Sequence, residues 1–220
     1  MEKKVFVLSE HSNDKYEIDF DADEYTHLRA FHACRPFKIS DYQNNGITPI
    51  SYNSALQDIK DRVVCDYVSE KDAISEFEKE WTDFDDIHKQ VWLQMNKDEL
   101  LGISSHYLIY GSEFINTIAM HLGCRDELKQ IGIPTIFYCD IPIEDISFQD
   151  INDIQNSFNR HNTYNIGFAV DTVLPQNIVG YEHPTKRLND PYGGTYKPDY
   201  NKLKNMLINK NIYNRERCFT

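Results

Sequence analysis

The chain has no Cys-x-x-Cys pair. Its five cysteines, at 34, 65, 124, 139 and 218, are odd in number and widely spaced. That pattern argues against a disulfide framework and a structural zinc site, leaving most of these thiols as small apolar residues in a reducing compartment. Gly-x-Gly-x-x-Gly, Walker A and Gly-x-Ser-x-Gly sequences are all missing, which argues against Rossmann, P-loop and α/β-hydrolase chemistry. Apolar runs are short, and Ile131–Tyr138 falls well below the roughly 18–20 residues a membrane helix needs. The start is too brief for a secretory segment, so the expected location is cytoplasmic, with no membrane partner. Cations are scarce too: 23 Lys and Arg against 35 Asp and Glu give a net charge of −12. Such a surface repels phosphate, so non-specific nucleic-acid binding is not expected of the molecule as a whole, although a local basic patch is still able to touch a polyanion.

What is present is a globular composition, 40% hydrophobic and 26% charged over 220 residues, suiting one domain. Val5–Leu8, Tyr16–Phe20 and His27–His32 read as strands, and Ser40 to Gly46 as a short helix ended by glycine. A helical insertion is expected over about 54–100. In it, Ser54 caps Ala55–Val64, Ser69 opens a helix through Trp81, and Asp83 or Asp85 starts a third through Met95. Tyr107–Tyr110 reads as a strand, and Ser112 as the cap of an amphipathic helix over 113–122. Pro134–Ile141 is a buried strand, 147–160 a helix, and Phe168–Val170 and Ile178–Tyr181 two strands joined by a Leu174-Pro175 turn. Pro191–Tyr196 is expected to be a mobile loop. The tail is basic, residues 186–217 carrying eight Lys/Arg against three acids. The fold class is therefore α+β.

Three segments carry candidate chemistry. In the first, Phe31-His32-x-x-Arg35 with Tyr42 and Gly46-Ile47 puts an imidazole and a guanidinium at a sheet rim, suited to ribose or phosphate or, equally, to structural duty. In the second, Tyr107, Tyr110, Ser112 and Glu113 offer aromatics beside a helix start, where capping explains Ser112-Glu113 equally well. The third, Gly167 to Val179, reads only as strand, turn, strand. No metal is indicated, since His106 and His121 lack a third ligand at suitable spacing.

Taken in order, these segments resemble the ADP-ribosyltransferase superfamily over about half of the chain. The resemblance implies split antiparallel β-sheets with a helical insertion, and a transferase, toxin-like in setting, that moves ADP-ribose from NAD to a protein or nucleic acid. By that resemblance His32 and Arg35 hold ribose or phosphate, Tyr107, Tyr110 and Ser112 enclose nicotinamide, and His32, Tyr110 and Glu113 form the catalytic set. The family's late-strand glutamate is not at its expected place: Gly167 stands there, and no Glu occurs between Ile146 and Tyr181. Glu113 is the residue assigned to supply the carboxylate. The alternative is a catalytically degenerate nucleotide- or protein-binding module of the same fold, for which the acidic charge suggests a basic protein partner.

Overall fold

The computed structural model describes residues 2–11, 18, 20–160 and 162–206. The expected strand Tyr16–Phe20 and the tail beyond 206 lie largely outside them. Six strands form one sheet: β1 Val5–Phe6, β2 His27–Cys34, β3 Val91–Gln94, β4 Thr135–Pro142, β5 Gly167–Val170 and β6 Ile178–Glu182. Five of them run antiparallel in the order β5-β3-β2-β4-β6, and β1 pairs parallel with β2. Among the described residues these strands share one sheet, without the expected split. The late strands 168–170 and 178–181 also do not pair; they occupy opposite edges, because β5 joins β3 and β6 joins β4. A second, two-stranded sheet, β7 Leu188–Asn189 with β8 Thr195–Tyr196, makes a hairpin of the expected loop.

Side-chain alternation along β2 divides the core. Leu28 and Ala30 face a first layer holding Phe6, Leu93, Phe137, Cys139 and Phe168, closed by the helix Phe148–Asn159 through Ile151, Ile154 and Phe158. Phe31 and Ala33 face a second layer built from helices. In chain order the helices are α1 Leu8–His11, α2 Ile39–Asn45, α3 Tyr52–Arg62, α4 Glu70–Asp83, α5 Lys97–Leu101, α6 His106–Tyr110, α7 Glu113–His121, α8 Arg125–Leu128 and α9 Phe148–Asn159. Each fully buried Phe, Ile or Leu in these layers contributes about 1.5–3 kcal/mol of apolar transfer free energy.

Several starts follow local rules. Ser69, Ser112 and Ser147 each accept a hydrogen bond from the backbone N–H three residues on, satisfying a donor that the first helical turn leaves open. Other elements differ from expectation. Ser51, not Ser54, caps α3, and the two serines form a reciprocal capping box. The short helix expected from Ser40 starts at Ile39, with Lys38 at its cap. The third helix of the insertion shrinks to a 3-10 turn, Asp86–Lys89, followed by β3, because burying Val91, Leu93 and Met95 on one face requires period-two alternation. The Tyr107–Tyr110 segment is helix α6, not a strand. Its β-forming side chains bury just as well on a helix, and Gly111, at φ 101°, ends it.

Candidate functional site

Of the six residues expected to form the site, His32 stands apart from the other five, which lie on or against α6 and the start of α7. His32 shares its strand parity with Leu28 and Ala30, so it lies on the first face of the sheet, whereas α6 and α7 pack on the second. The half-buried imidazole bonds through Nδ1 to Trp92 O at 3.0 Å. A carbonyl only accepts, so Nδ1 carries the proton. Burial lowers the His32 pKa, against the opposing pull of that carbonyl, and holds the ring neutral.

Arg35 is 2% exposed and spends all five N–H donors inside the protein. Nε donates to Ile131 O at 2.8 Å; Nη1 to Leu108 O at 2.9 Å and Tyr196 Oη at 3.2 Å; Nη2 to Lys129 O at 2.9 Å and Gly132 O at 3.0 Å. None remains for a phosphate or ribose.

On the second face, Tyr110 is buried and donates to Asp190 Oδ2 at 2.5 Å, with Lys129 Nζ 3.2 Å from the same oxygen. Burial and that contact push its pKa up to about 12. Its ring is enclosed by Tyr192, Arg125 and Lys129 and offers no open stacking surface. Tyr107 is half-buried, and burial, with Glu113 beside it, raises its pKa. Glu113 is an exposed first-turn residue whose Oε1 lies 3.1 Å from His106 Nε2. Ser112 Oγ caps α7 by accepting from Ile115 N at 3.2 Å.

A different group does converge. The strand registers place Gly167, Gln94, Phe31, Tyr138 and Gly180 in one transverse row across β5, β3, β2, β4 and β6. Both edge positions of this row are glycine, so no side chain rises there. Phe31 meets Tyr138 edge-on, with ring centroids 5.2 Å apart. Two residues beyond Gly180, Glu182 closes β6 and accepts a hydrogen bond from the Tyr138 hydroxyl. Lys97, at the start of α5, lies over the row with Nζ 3.2 Å from both Tyr138 Oη and Glu182 Oε2. Lys97 and Glu182 are about one-third exposed, 34% and 35%, so solvent reaches this end of the row.

The electrostatics are mutually consistent. Burial opposes the Lys97 charge, but bonds to Tyr138 and Glu182 outweigh it and raise its pKa. Burial, then the Glu182 contact, raises that of Tyr138 and keeps its hydroxyl protonated. Two acceptors nearby in sequence are unpaired among the described residues: Gln94 Oε1 in the row itself, and Oε1 of the buried Glu99 in α5. Both atoms are closed off from solvent, and a buried acceptor without a donor costs about 1–3 kcal/mol. The arrangement therefore combines an edge-on aromatic pair, a carboxylate held by a tyrosine and a lysine, and buried unpaired acceptors.

These residues escape sequence reading for identifiable reasons. A search for a late carboxylate that ends at Tyr181 stops one residue before Glu182, and Gln94 sits in a segment read as helix. The hydroxyl of Tyr138, set in the apolar run Ile136–Cys139, was the available signal.

Among the described residues, one group has metal-ligand proximity: Glu76, Glu80 and His121, with ligand atoms within 4.8 Å of one another. The Lys79 ammonium already lies 3.1 Å from Glu76 and 3.7 Å from Glu80, supplying positive charge there. No described helix is long and apolar enough to cross a membrane. No family model, curated protein or solved structure matches the chain.

Proposed function

We propose that the chain binds NAD on the second face of its sheet and transfers ADP-ribose to a macromolecular acceptor, with Glu182 as the carboxylate in place of Glu113. The observation that carries this reading is the convergence of Glu182, Tyr138 and Lys97 beside Phe31 and the unpaired Gln94 acceptor. Breaking the nicotinamide–ribose bond builds positive charge on the sugar. A carboxylate fixed beforehand near that carbon lowers the barrier without reorganising. Tyr138 and Lys97 fix the position of the Glu182 side chain by donating to its carboxylate. Phe31 supplies an apolar edge for a flat heterocycle. In this arrangement Arg35, His32 and Tyr110 stabilise the scaffold and do not contact NAD.

The test is nicotinamide release from NAD in the presence of a cell lysate as acceptor source. Glu182→Gln is expected to slow release by about 100- to 1,000-fold, the range for losing one preorganised electrostatic group. Glu113→Gln should leave the rate unchanged. Absence of NAD binding by calorimetry overturns the proposal.

One observation favours the degenerate binding module as a second reading: the Glu182 carboxylate already has both Lys97 and Tyr138 as partners. That reading calls for NAD binding with no nicotinamide release.

A further inference from the structure

The segment that follows Glu182 reverses the charge of the molecule. Residues 184–206 hold Lys186, Arg187, Lys197, Lys202 and Lys204, all exposed, against Asp190 and Asp199. Asp190 is buried and committed to Tyr110 and Lys129, and Asp199 accepts from Lys202 N at 3.1 Å, at the start of the helical stretch over 200–206. Among the described residues these four lysines make no ion pair, as is also true of Lys38 and Lys71, whereas Lys60, Lys79, Lys89, Lys97 and Lys129 do.

The fold gathers these cations. Arg187 and Lys197 stand opposite each other, one step beyond the Leu188–Tyr196 pair of the hairpin. Tyr200 Oη donates to Pro184 O at 2.5 Å, drawing Lys202 and Lys204 back toward Lys186 and Arg187. Leu203, 3% exposed, anchors the helical stretch so that its two flanking lysines face water. At the hairpin tip Tyr192 is 48% exposed, with the Arg125 guanidinium 4.6 Å from its ring centre and two exposed glycines after it.

We infer that this strap, residues 184–206, is a docking surface for single-stranded nucleic acid. Unpaired cations along one chain segment suit a phosphate backbone. An exposed tyrosine backed by arginine is a stacking platform for an unpaired base, which an acidic protein does not require. The overall charge of −12 does not forbid contact. Charges more than about 8 Å away are largely screened at physiological ionic strength, so a strand close to the strap responds mainly to the local cations. The strap continues directly from Glu182, through His183, whose ring centre lies 5.6 Å from that of Tyr200. A strand held there lies beside Glu182, at the end of β6. Naming nucleic acid as the acceptor rests on the proposed transferase site; the docking itself does not.

The test is fluorescence anisotropy of the full chain with labelled oligo-dT and oligo-U, without NAD, and with labelled poly-glutamate in parallel. The oligonucleotides should bind more tightly than poly-glutamate. With about five phosphate contacts, affinity should fall on the order of 100-fold between 50 and 200 mM salt. The triple variant Lys186→Glu, Arg187→Glu, Lys197→Glu should abolish binding while keeping the wild-type circular dichroism spectrum. Tyr192→Ala should weaken the oligonucleotides at least about fivefold and leave poly-glutamate unchanged. No oligonucleotide binding at 50 mM salt, binding that survives the triple variant, or poly-glutamate binding as tight as the oligonucleotides each overturns the inference. Because NAD is absent throughout, these outcomes are separate from nicotinamide release and from the Glu182→Gln result.

Discussion

Arg35 shows how one residue changes meaning between sequence and structure. In the sequence it is a cation three residues after a histidine, and phosphate recognition is a natural reading. In the fold its guanidinium ties β2 to α6, to the turn after α8 and to Tyr196. Arg35→Lys keeps the charge but offers three donors where five are used, leaving carbonyls and a buried ammonium underpaired. It should cost on the order of 3 kcal/mol, read as a lowered urea midpoint, with NAD affinity of the folded fraction unchanged. Ser112 was legible because capping depends on residues three apart in the chain. Tyr138 and Glu182 were not, because their meeting depends on the register between β4 and β6.

Among the elements, α2 ends in a joint of small tolerance. Gly46 has φ 80°, and a Cβ there would sit 2.2 Å from Val173 O, whose residue pairs with Ile47 just after the helix. Sequence reading placed this glycine correctly as a helix stop, since a positive φ has a recognisable residue preference. It did not reveal the close approach of a segment some 130 residues away, which makes the position stricter than an ordinary cap. Gly46→Ala should cost about 2–3 kcal/mol and lower the thermal midpoint by roughly 4–10 °C. Gly123→Ala is the control. Its φ is 69°, but nothing lies within 4 Å of the added atom, so the loss should stay near 1 kcal/mol. The strand β4 and the helices α4, α7 and α9 were also readable, being long or strongly periodic. α6 and β3 were not: each is only four or five residues long, and tertiary burial decided its type.

Across the whole molecule, stability at low pH rests on a few carboxylates. Asp140 is held by Lys3, with Nζ 2.8 Å away, and by Arg29; Asp190 is held by Tyr110, the Tyr192 N–H and Lys129. Burial opposes their ionisation, yet these partners prevail and lower both pKa values. The sign follows from proton counting. Near pH 3–4 the unfolded chain binds more protons at these sites than the folded one. Their contribution is therefore complete above the ordinary Asp pKa of about 4 and is lost as pH falls through the folded values. The urea midpoint should drop between pH 6 and pH 3. In Asp190→Asn the midpoint should be lower at pH 6 and should fall less on acidification than in the wild type. Strand and helix patterning correctly signalled the α+β class. The charge reversal at residues 184–206 was also visible in sequence, but how the cations gather around Pro184 and Tyr200 depends on the fold.

The junction of β2 with β3 has a mechanical consequence. These strands share a single register position, Phe31 opposite Gln94, while β1 takes another stretch of the same edge. The sheet is thus two plates riveted once, with the His32–Trp92 bond as a washer on the reverse side. Twisting of the β3–β5 plate against the other would alter the spacing between Gln94 and Phe31 before it disturbed any longer ladder, so the seam is where this face of the sheet is most easily reshaped.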